Sequence, residues 1–150
     1  MSGPPPDAGA SPVKGLAHIA IATPDADALA RTFVAALGAT LGAEELIDGG
    51  TLRIVFVHVG PVTFELLEPR SGEHTVAKFL EKRGAGLHHV NFEVGDVAAV
   101  LERARIAGLQ LIDEAPRQGA HGSRVAFLHP RSFGGVLIEV CEPDPPVARE

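Results

Sequence analysis

Gly15-Leu16-Ala17-His18-Ile19-Ala20-Ile21 is followed, 71 positions later, by Gly86-Leu87-His88-His89-Val90-Asn91-Phe92. Each run reads as a strand with a histidine at its fourth position, His18 and His89, so the chain begins the same unit twice. Two further echoes extend the repeat. Arg53-Ile54-Val55-Phe56-Val57-His58 returns as Arg124-Val125-Ala126-Phe127-Leu128-His129, again at an offset of 71. Phe64-Glu65-Leu66-Leu67-Glu68-Pro69 returns as Ile138-Glu139-Val140-Cys141-Glu142-Pro143 at an offset of 74, the difference being absorbed in the 130–135 loop. The duplication places His18, Glu65, His89 and Glu139 at equivalent points. Two imidazoles and two carboxylates are a natural ligand set for a divalent cation with open positions.

Each unit reads strand, helix, then three strands. Leu16 to Ala22 is a strand, and Thr23-Pro24-Asp25 reads as a helix start with a hydroxyl cap and Pro at the first position. Leu29, Phe33 and Leu37 form the expected buried stripe, and Gly38 ends the helix. Strands are expected near 40–47, 51–59 and 62–68, separated by Asp48-Gly49-Gly50 and Gly60-Pro61. The second unit has a strand from His88 to Val94 and a helix capped by Asp96, with a stripe of Val97, Val100, Leu101 and Ala104. Gly108 stops that helix, and strands are expected near 109–113, 123–129 and 136–142. A short helix at 75–83 links the modules, about 15–70 and 86–143. Residues 1–14 and 144–150 read as a disordered arm and tail from their proline content. The expected fold is therefore α+β: two tandem βαβββ modules forming a curved eight-stranded cup around a metal site.

Strand alternation decides where the ligands face. His18, Ala20 and Ala22 share one face, opposite Ile19 and Ile21; His89, Asn91 and Glu93 oppose Val90, Phe92 and Val94. The bulky aliphatics are expected to meet the helices, leaving the histidines on a concave face with small and polar neighbours. Glu65 and Glu139 lie in otherwise apolar strands, where an ionised carboxylate without a partner is costly. A shared cation resolves that cost. His88, of opposite parity, reads as packing or as a partner that orients a ligand. Glu68 and Glu142 read as solvated strand ends, and Cys141 as a buried inert thiol. Ser123, Arg124 and His129 are the candidate substrate contacts, Arg124 because a guanidinium grips anions well.

Composition narrows the function. With 150 residues and 45% hydrophobic content, the chain can bury one core but not two. A net charge of −6, with no basic run beyond Lys82-Arg83, argues against nucleic acid as a partner. No stretch approaches the roughly 18–20 apolar residues of a membrane span. A single cysteine, Cys141, excludes an internal disulfide, and no secretory signal is evident, so a cytoplasmic protein is expected.

The duplication and its His/Glu quartet resemble the vicinal oxygen chelate superfamily of the glyoxalase fold, and in finer detail the methylmalonyl-CoA epimerase family. The finer likeness rests on Phe64 to Pro69, Val76 to Gly84, Gly86 to His89, Gly119 to Arg124, Phe127 to Arg131 and Gly134 to Glu139. The resemblance implies a racemase- or epimerase-class isomerase that inverts C2 of an acyl-CoA through an enolate. It implies a divalent ion such as Co²⁺, Mn²⁺ or Zn²⁺ on His18, Glu65, His89 and Glu139, with Glu139 also a base, and a homodimer. Relatives place a second catalytic carboxylate near the position of Arg53, and a Pro-Glu-Gln where this chain has Asp48-Gly49-Gly50. Glu65 is therefore the expected second acid–base group. The alternatives within the same fold are a glyoxalase I-type lyase acting on a glutathione hemithioacetal and a metal-free binding module.

Overall fold

The computed structural model describes residues 11–119 and 122–143; the first ten residues of the expected arm, Ala120, His121 and the expected tail lie outside them. The first module comprises β1 (Val13–Ala22), α1 (Ala26–Leu37), β2 (Thr40–Ile47), β3 (Leu52–Val59) and β4 (Val62–Pro69). After the linking helix α2 (Thr75–Arg83) come β5 (Gly86–Val94), α3 (Val97–Ile106), β6 (Arg117–Gln118), β7 (Arg124–Leu128) and β8 (Leu137–Cys141). The eight strands form one curved sheet in the order β2-β3-β4-β1-β5-β8-β7-β6. Exchanging each strand for its repeat partner reverses this order, so the modules are related by a pseudo-twofold between β1 and β5. Those two strands pair antiparallel with three register shifts, one of them between Leu16 and His18. Bulges of this kind bend strands and re-aim side chains, and here they curve the sheet at the seam. Among the described residues, no helix is long and apolar enough to cross a membrane.

The convex face is covered by α1 and α3. Ala26 and Ala30 pack with Val55, Val57 and Leu66, while Val97, Leu101 and Ala104 pack with Val94, Ala126 and Val140. Helix α2 instead lies against one end of the concave face, where Val76 packs with Ala20, Ala22, Leu52, Ile54 and Leu67. The small residues expected to leave room for a ligand thus make room for a helix. Each fully buried Val or Leu in these clusters contributes roughly 1.5–3 kcal/mol.

Several local expectations are corrected. Helix α1 starts two residues later than Thr23 implies: Asp25 is the cap and accepts from Ala28 N at 3.0 Å, while the Thr23 hydroxyl accepts from Asp25 N. Asp96 does the same for α3 through Ala99 N, one repeat later. Leu37 is exposed, because the buried face of α1 runs through Ala26 and Ala30. Glu68 and Glu142 are not solvated ends. Each accepts from the first N–H of its own module's helix, Ala26 N and Val97 N, both at 2.8 Å. A carboxylate there satisfies an orphan donor and meets the positive end of the helix dipole. The segment 109–113 is not a strand. Only Leu111 bridges to Leu128, and the Asp113 side chain takes the Phe127 N–H at 2.8 Å, replacing the backbone acceptor a strand would supply. The edge strand forms later and is two residues long.

Candidate active site

The pseudo-twofold carries the quartet to one place. His18 comes from β1 and Glu65 from its parallel neighbour β4; His89 comes from β5 and Glu139 from its parallel neighbour β8. The Nε2 atoms of His18 and His89 stand 3.1 Å apart. Glu139 Oε1 lies 3.3 Å from His89 Nε2 and 3.7 Å from His18 Nε2, and Glu65 Oε2 touches His18 Nε2. His18, His89 and Glu139 each bring a ligand atom within 4.8 Å of the others, and Glu65 joins through His18.

The donor set fits a divalent cation on two observations. Glu65 Oε2 is buried and touches His18 Nε2 without a hydrogen bond between them, and a carboxylate oxygen crowded onto an imidazole nitrogen in this way fits a shared positive charge. The histidine edges are also oriented as ligands are. His89 turns Nε2 to the centre and braces Nδ1 on His88 Nδ1 at 2.8 Å, which fixes the ring as partners of metal-bound histidines do. His88 packs edge-on against Phe79. Burial, reinforced by the neighbouring His89, pushes its pKa down to about 4, so it stays neutral. Glu139 is held from the side by Asn91, whose Nδ2 donates to Oε1 at 2.6 Å.

The quartet opens into a cavity of about 880 Å³. Its module-one side presents Leu52, Ile54, Phe56 and Leu67 together with the carboxylates Glu45 and Asp48. Its module-two wall is mixed: Ser123, Val125 and Phe127, with the Arg117 guanidinium 5.0 Å over the Phe127 ring. Cys141 lines the cavity, and burial raises its thiol to about 11, so it is protonated at neutral pH and a poor nucleophile. Of the substrate candidates, Ser123 lines this cavity and His129 an adjoining cleft. Arg124 lines neither; strand alternation turns it toward Glu142, 3.6 Å away.

Arg53 stands outside the cavity altogether. It shares the convex face with Val55 and Val57 and bonds Glu44 Oε1 at 2.6 Å and Asp27 Oδ1 at 2.8 Å, with Glu68 at 3.5 Å. Those bonds raise the Arg53 pKa, and they hold Asp27 and Glu44 below the usual carboxylate range. Arg53–Glu68 and Arg124–Glu142 are repeat-equivalent pairs that tie a strand to a helix cap. No acid–base group has been displaced by Arg53.

Asp48 lines the cavity too, as do Glu45 and Glu142, and sequence reasoning assigned none of the three to the site. Asp48 is the one non-glycine among the described residues with positive φ, at 53°. Its Oδ2 accepts from His74 Nε2 at 2.7 Å, while His74 Nδ1 accepts from Val76 N at the start of α2. That second bond requires the neutral ring to carry its proton on Nε2, facing Asp48. Asp-Gly-Gly reads as an ordinary turn, and only the fold shows that the turn closes over the site.

A duplicated cup with two histidines and facing carboxylates at its seam defines the protein's class. The chain matches the glyoxalase/bleomycin resistance protein/dioxygenase superfamily over residues 17–127 and belongs to it. Ethylmalonyl-CoA/methylmalonyl-CoA epimerase of Cereibacter sphaeroides is 39% identical over 127 residues, 83% of this chain and 95% of that protein. The crystal structure of methylmalonyl-CoA epimerase from Mycobacterium tuberculosis gives a TM-score of 0.80 at 37% identity, covering 91% of this chain and 93% of that one. A variant of Streptomyces coelicolor methylmalonyl-CoA epimerase in complex with 2-nitronate-propionyl-CoA gives 0.77 at 32% identity, covering 89% and 99%. Within the superfamily, the chain belongs to the methylmalonyl-CoA epimerase family.

Proposed function

We propose that this protein interconverts (2R)- and (2S)-methylmalonyl-CoA by moving a proton at C2. The supporting observation is the convergence of carboxylates and imidazoles from both modules on one cavity, with Glu65 Oε2 buried against His18 Nε2 without a hydrogen bond. The C2 hydrogen lies between a thioester and a carboxylate, and its removal builds negative charge on the thioester oxygen. A divalent ion held by His18, Glu65, His89 and Glu139 would supply Lewis-acid stabilisation of that charge. The protein's own groups do the rest. Glu139, fixed by Asn91, accepts the proton on one face. Arg117 is the cavity's guanidinium and suits the substrate carboxylate.

Inversion needs a second proton carrier on the other face. Glu65 is the carboxylate that the repeat sets across from Glu139. One observation favours Asp48 instead: its side chain is 58% exposed at the cavity, free to exchange protons with water, whereas that of Glu65 is 11% exposed and lies against His18. Glu65 then serves as a ligand. A homodimer working in the cytoplasm completes the proposal.

The test is comparative turnover. Purified protein should epimerise methylmalonyl-CoA, lose that activity to a strong chelator and regain it with Co²⁺ or Mn²⁺. It should leave a glutathione hemithioacetal unchanged; the opposite preference would support the lyase alternative.

A further inference from the structure

Helix α2 begins on an unusual cap. Ser, Thr, Asp and Asn suit a helix start because one short-reaching oxygen meets a free N–H of the first turn. Here the cap is His74, which accepts from Val76 N through Nδ1 at 3.1 Å. A capping oxygen would reach no further. The imidazole carries a second nitrogen beyond the first, and His74 Nε2 meets Asp48 Oδ2 at 2.7 Å. A backbone N–H only donates, so Nδ1 is the acceptor and, in the neutral ring, Nε2 is the donor. Amide, imidazole and carboxylate thus form one directed chain from Val76 through His74 to Asp48. The His74 main chain is fixed as well: its N–H donates to Ser71 O and its carbonyl accepts from Lys78 N, both at 3.2 Å. The Asp48 end is tied differently. Its carbonyl accepts from the Thr51 N–H at 3.3 Å and from the Thr51 hydroxyl at 2.7 Å, which holds the main chain of the turn. Its carboxylate stands exposed at the cavity, and among the described residues His74 is its hydrogen-bond partner. An ion pair with one exposed member adds little stability, so the consequence of this bond is orientation. Without it the carboxylate would sample several rotamers; with it, Oδ2 is pinned and Oδ1 is left for the cavity.

We propose that His74 is a positioning residue for Asp48, using the start of α2 as an anchor to aim the Asp48 carboxylate at the substrate. The inference rests on the function proposed above, in which Asp48 carries the proton on the face opposite Glu139. The arrangement is that of a base oriented by a third group. The Nε2–H bond of His74 stays intact throughout. Asp48 Oδ1 takes the proton from C2, the electron pair stays in the enolate, and the same oxygen returns a proton to C2 in the reverse direction.

The experiment separates the two arms of the ring in the intact, cation-loaded protein. Asn keeps an oxygen for Val76 N and is a favoured cap, yet it is too short to reach Asp48. Gln extends its amide to where an N–H replaces that of Nε2, but it is outside the favoured cap set. His74→Asn should lower kcat for methylmalonyl-CoA about tenfold or more, with KM within about twofold and the melting temperature little changed. His74→Gln should show the reverse, a lower melting temperature with kcat within about threefold of wild type. In an Asp48→Asn background, His74→Asn should have no further effect on kcat, because a positioning residue acts only through the group it positions. An unchanged kcat in His74→Asn, an equal loss with and without the Asp48 carboxylate, or a kcat that follows the melting temperature through both variants would overturn the assignment. Nitrogen NMR of the imidazoles gives a readout independent of turnover. With the ring neutral, the His74 signals, identified by their absence from His74→Asn, should show the proton on Nε2 and should shift in Asp48→Asn. Should the wild-type protein fail to epimerise while these signals behave as stated, the proposed reaction fails and the orientation of Asp48 by His74 stands. A proton on Nδ1, or signals indifferent to Asp48→Asn, would refute it.

Discussion

Replacing Asn91 by leucine separates what the site needs from what the fold needs. Asn91 is 4% exposed, and its two polar atoms have opposite fates. Nδ2 donates to Glu139 Oε1 at 2.6 Å, while Oδ1 is buried without a partner. Leucine, of similar volume, removes both atoms. Losing a hydrogen bond to a charged group costs roughly 1.5–3 kcal/mol, and removing an unsatisfied buried acceptor recovers roughly 1–3 kcal/mol. The terms nearly cancel, so the melting temperature should shift by only a few degrees. The rate has no such compensation. If Asn91 holds Glu139 where the proton is taken, the same 1.5–3 kcal/mol becomes roughly a 10- to 150-fold fall in kcat. The assay is kcat at saturating substrate on protein whose cation content is measured in the same sample, beside a thermal melt. Asn91→Asp should be worse, since it sets a second carboxylate against the first. A leucine variant with full cation content and kcat within threefold of wild type would refute the positioning role. Equal and large losses of stability and rate would make Asn91 a fold residue.

The proton carrier for the second face is tested by a pair of variants: Asp48→Asn should cut epimerisation by at least about 100-fold with cation retained, whereas Glu65→Gln should chiefly weaken cation binding. Near-normal turnover of Asp48→Asn, with interconversion abolished in cation-loaded Glu65→Gln, would return the role to Glu65. Glu68→Ala and Glu142→Ala should each cost roughly 1 kcal/mol of stability and add in the double variant, since they cap helices of separate modules; denaturant titration measures this. The Arg53 network sets an acid limit. Asp27 and Glu44 have folded pKa values below their ordinary 3.8 and 4.5, so their contribution is present above those values and lost as pH falls through the lower, folded ones. The difference in melting temperature between wild type and Arg53→Met should therefore be constant near pH 6–7 and shrink toward pH 3. A difference independent of pH would remove these carboxylates from the stability of the network.

The fold was legible because the repeat is internal evidence of topology. Offsets of 71 and 74 pair each strand with its counterpart, and strand parity places His18, Glu65, His89 and Glu139 on one face. What escaped the sequence is nonlocal or irregular. Glu68 and Glu142 end strands and give no local sign that each meets a helix start more than forty residues away. Arg53 reads as a cavity residue only if its parity is ignored; pairing with Glu68 rather than Glu65 puts it on the convex side. Asp48 was hidden inside a glycine turn, and its left-handed backbone appears only when the turn is folded over the cavity. The strand expected at 109–113 is absent because Asp113 and its neighbours substitute side-chain and irregular backbone bonds for a ladder.

The most direct measurement is deuterium entry at C2 of a single methylmalonyl-CoA epimer incubated in D₂O with the wild-type protein and with Glu139→Gln. The wild-type protein should yield the other epimer with one solvent deuterium at C2. Glu139→Gln, with its cation still bound, should stop interconversion, because an amide can coordinate but cannot accept the proton. Interconversion without deuterium entry, or a Glu139→Gln protein that epimerises at the wild-type rate, would contradict proton transfer by the carboxylates at this seam.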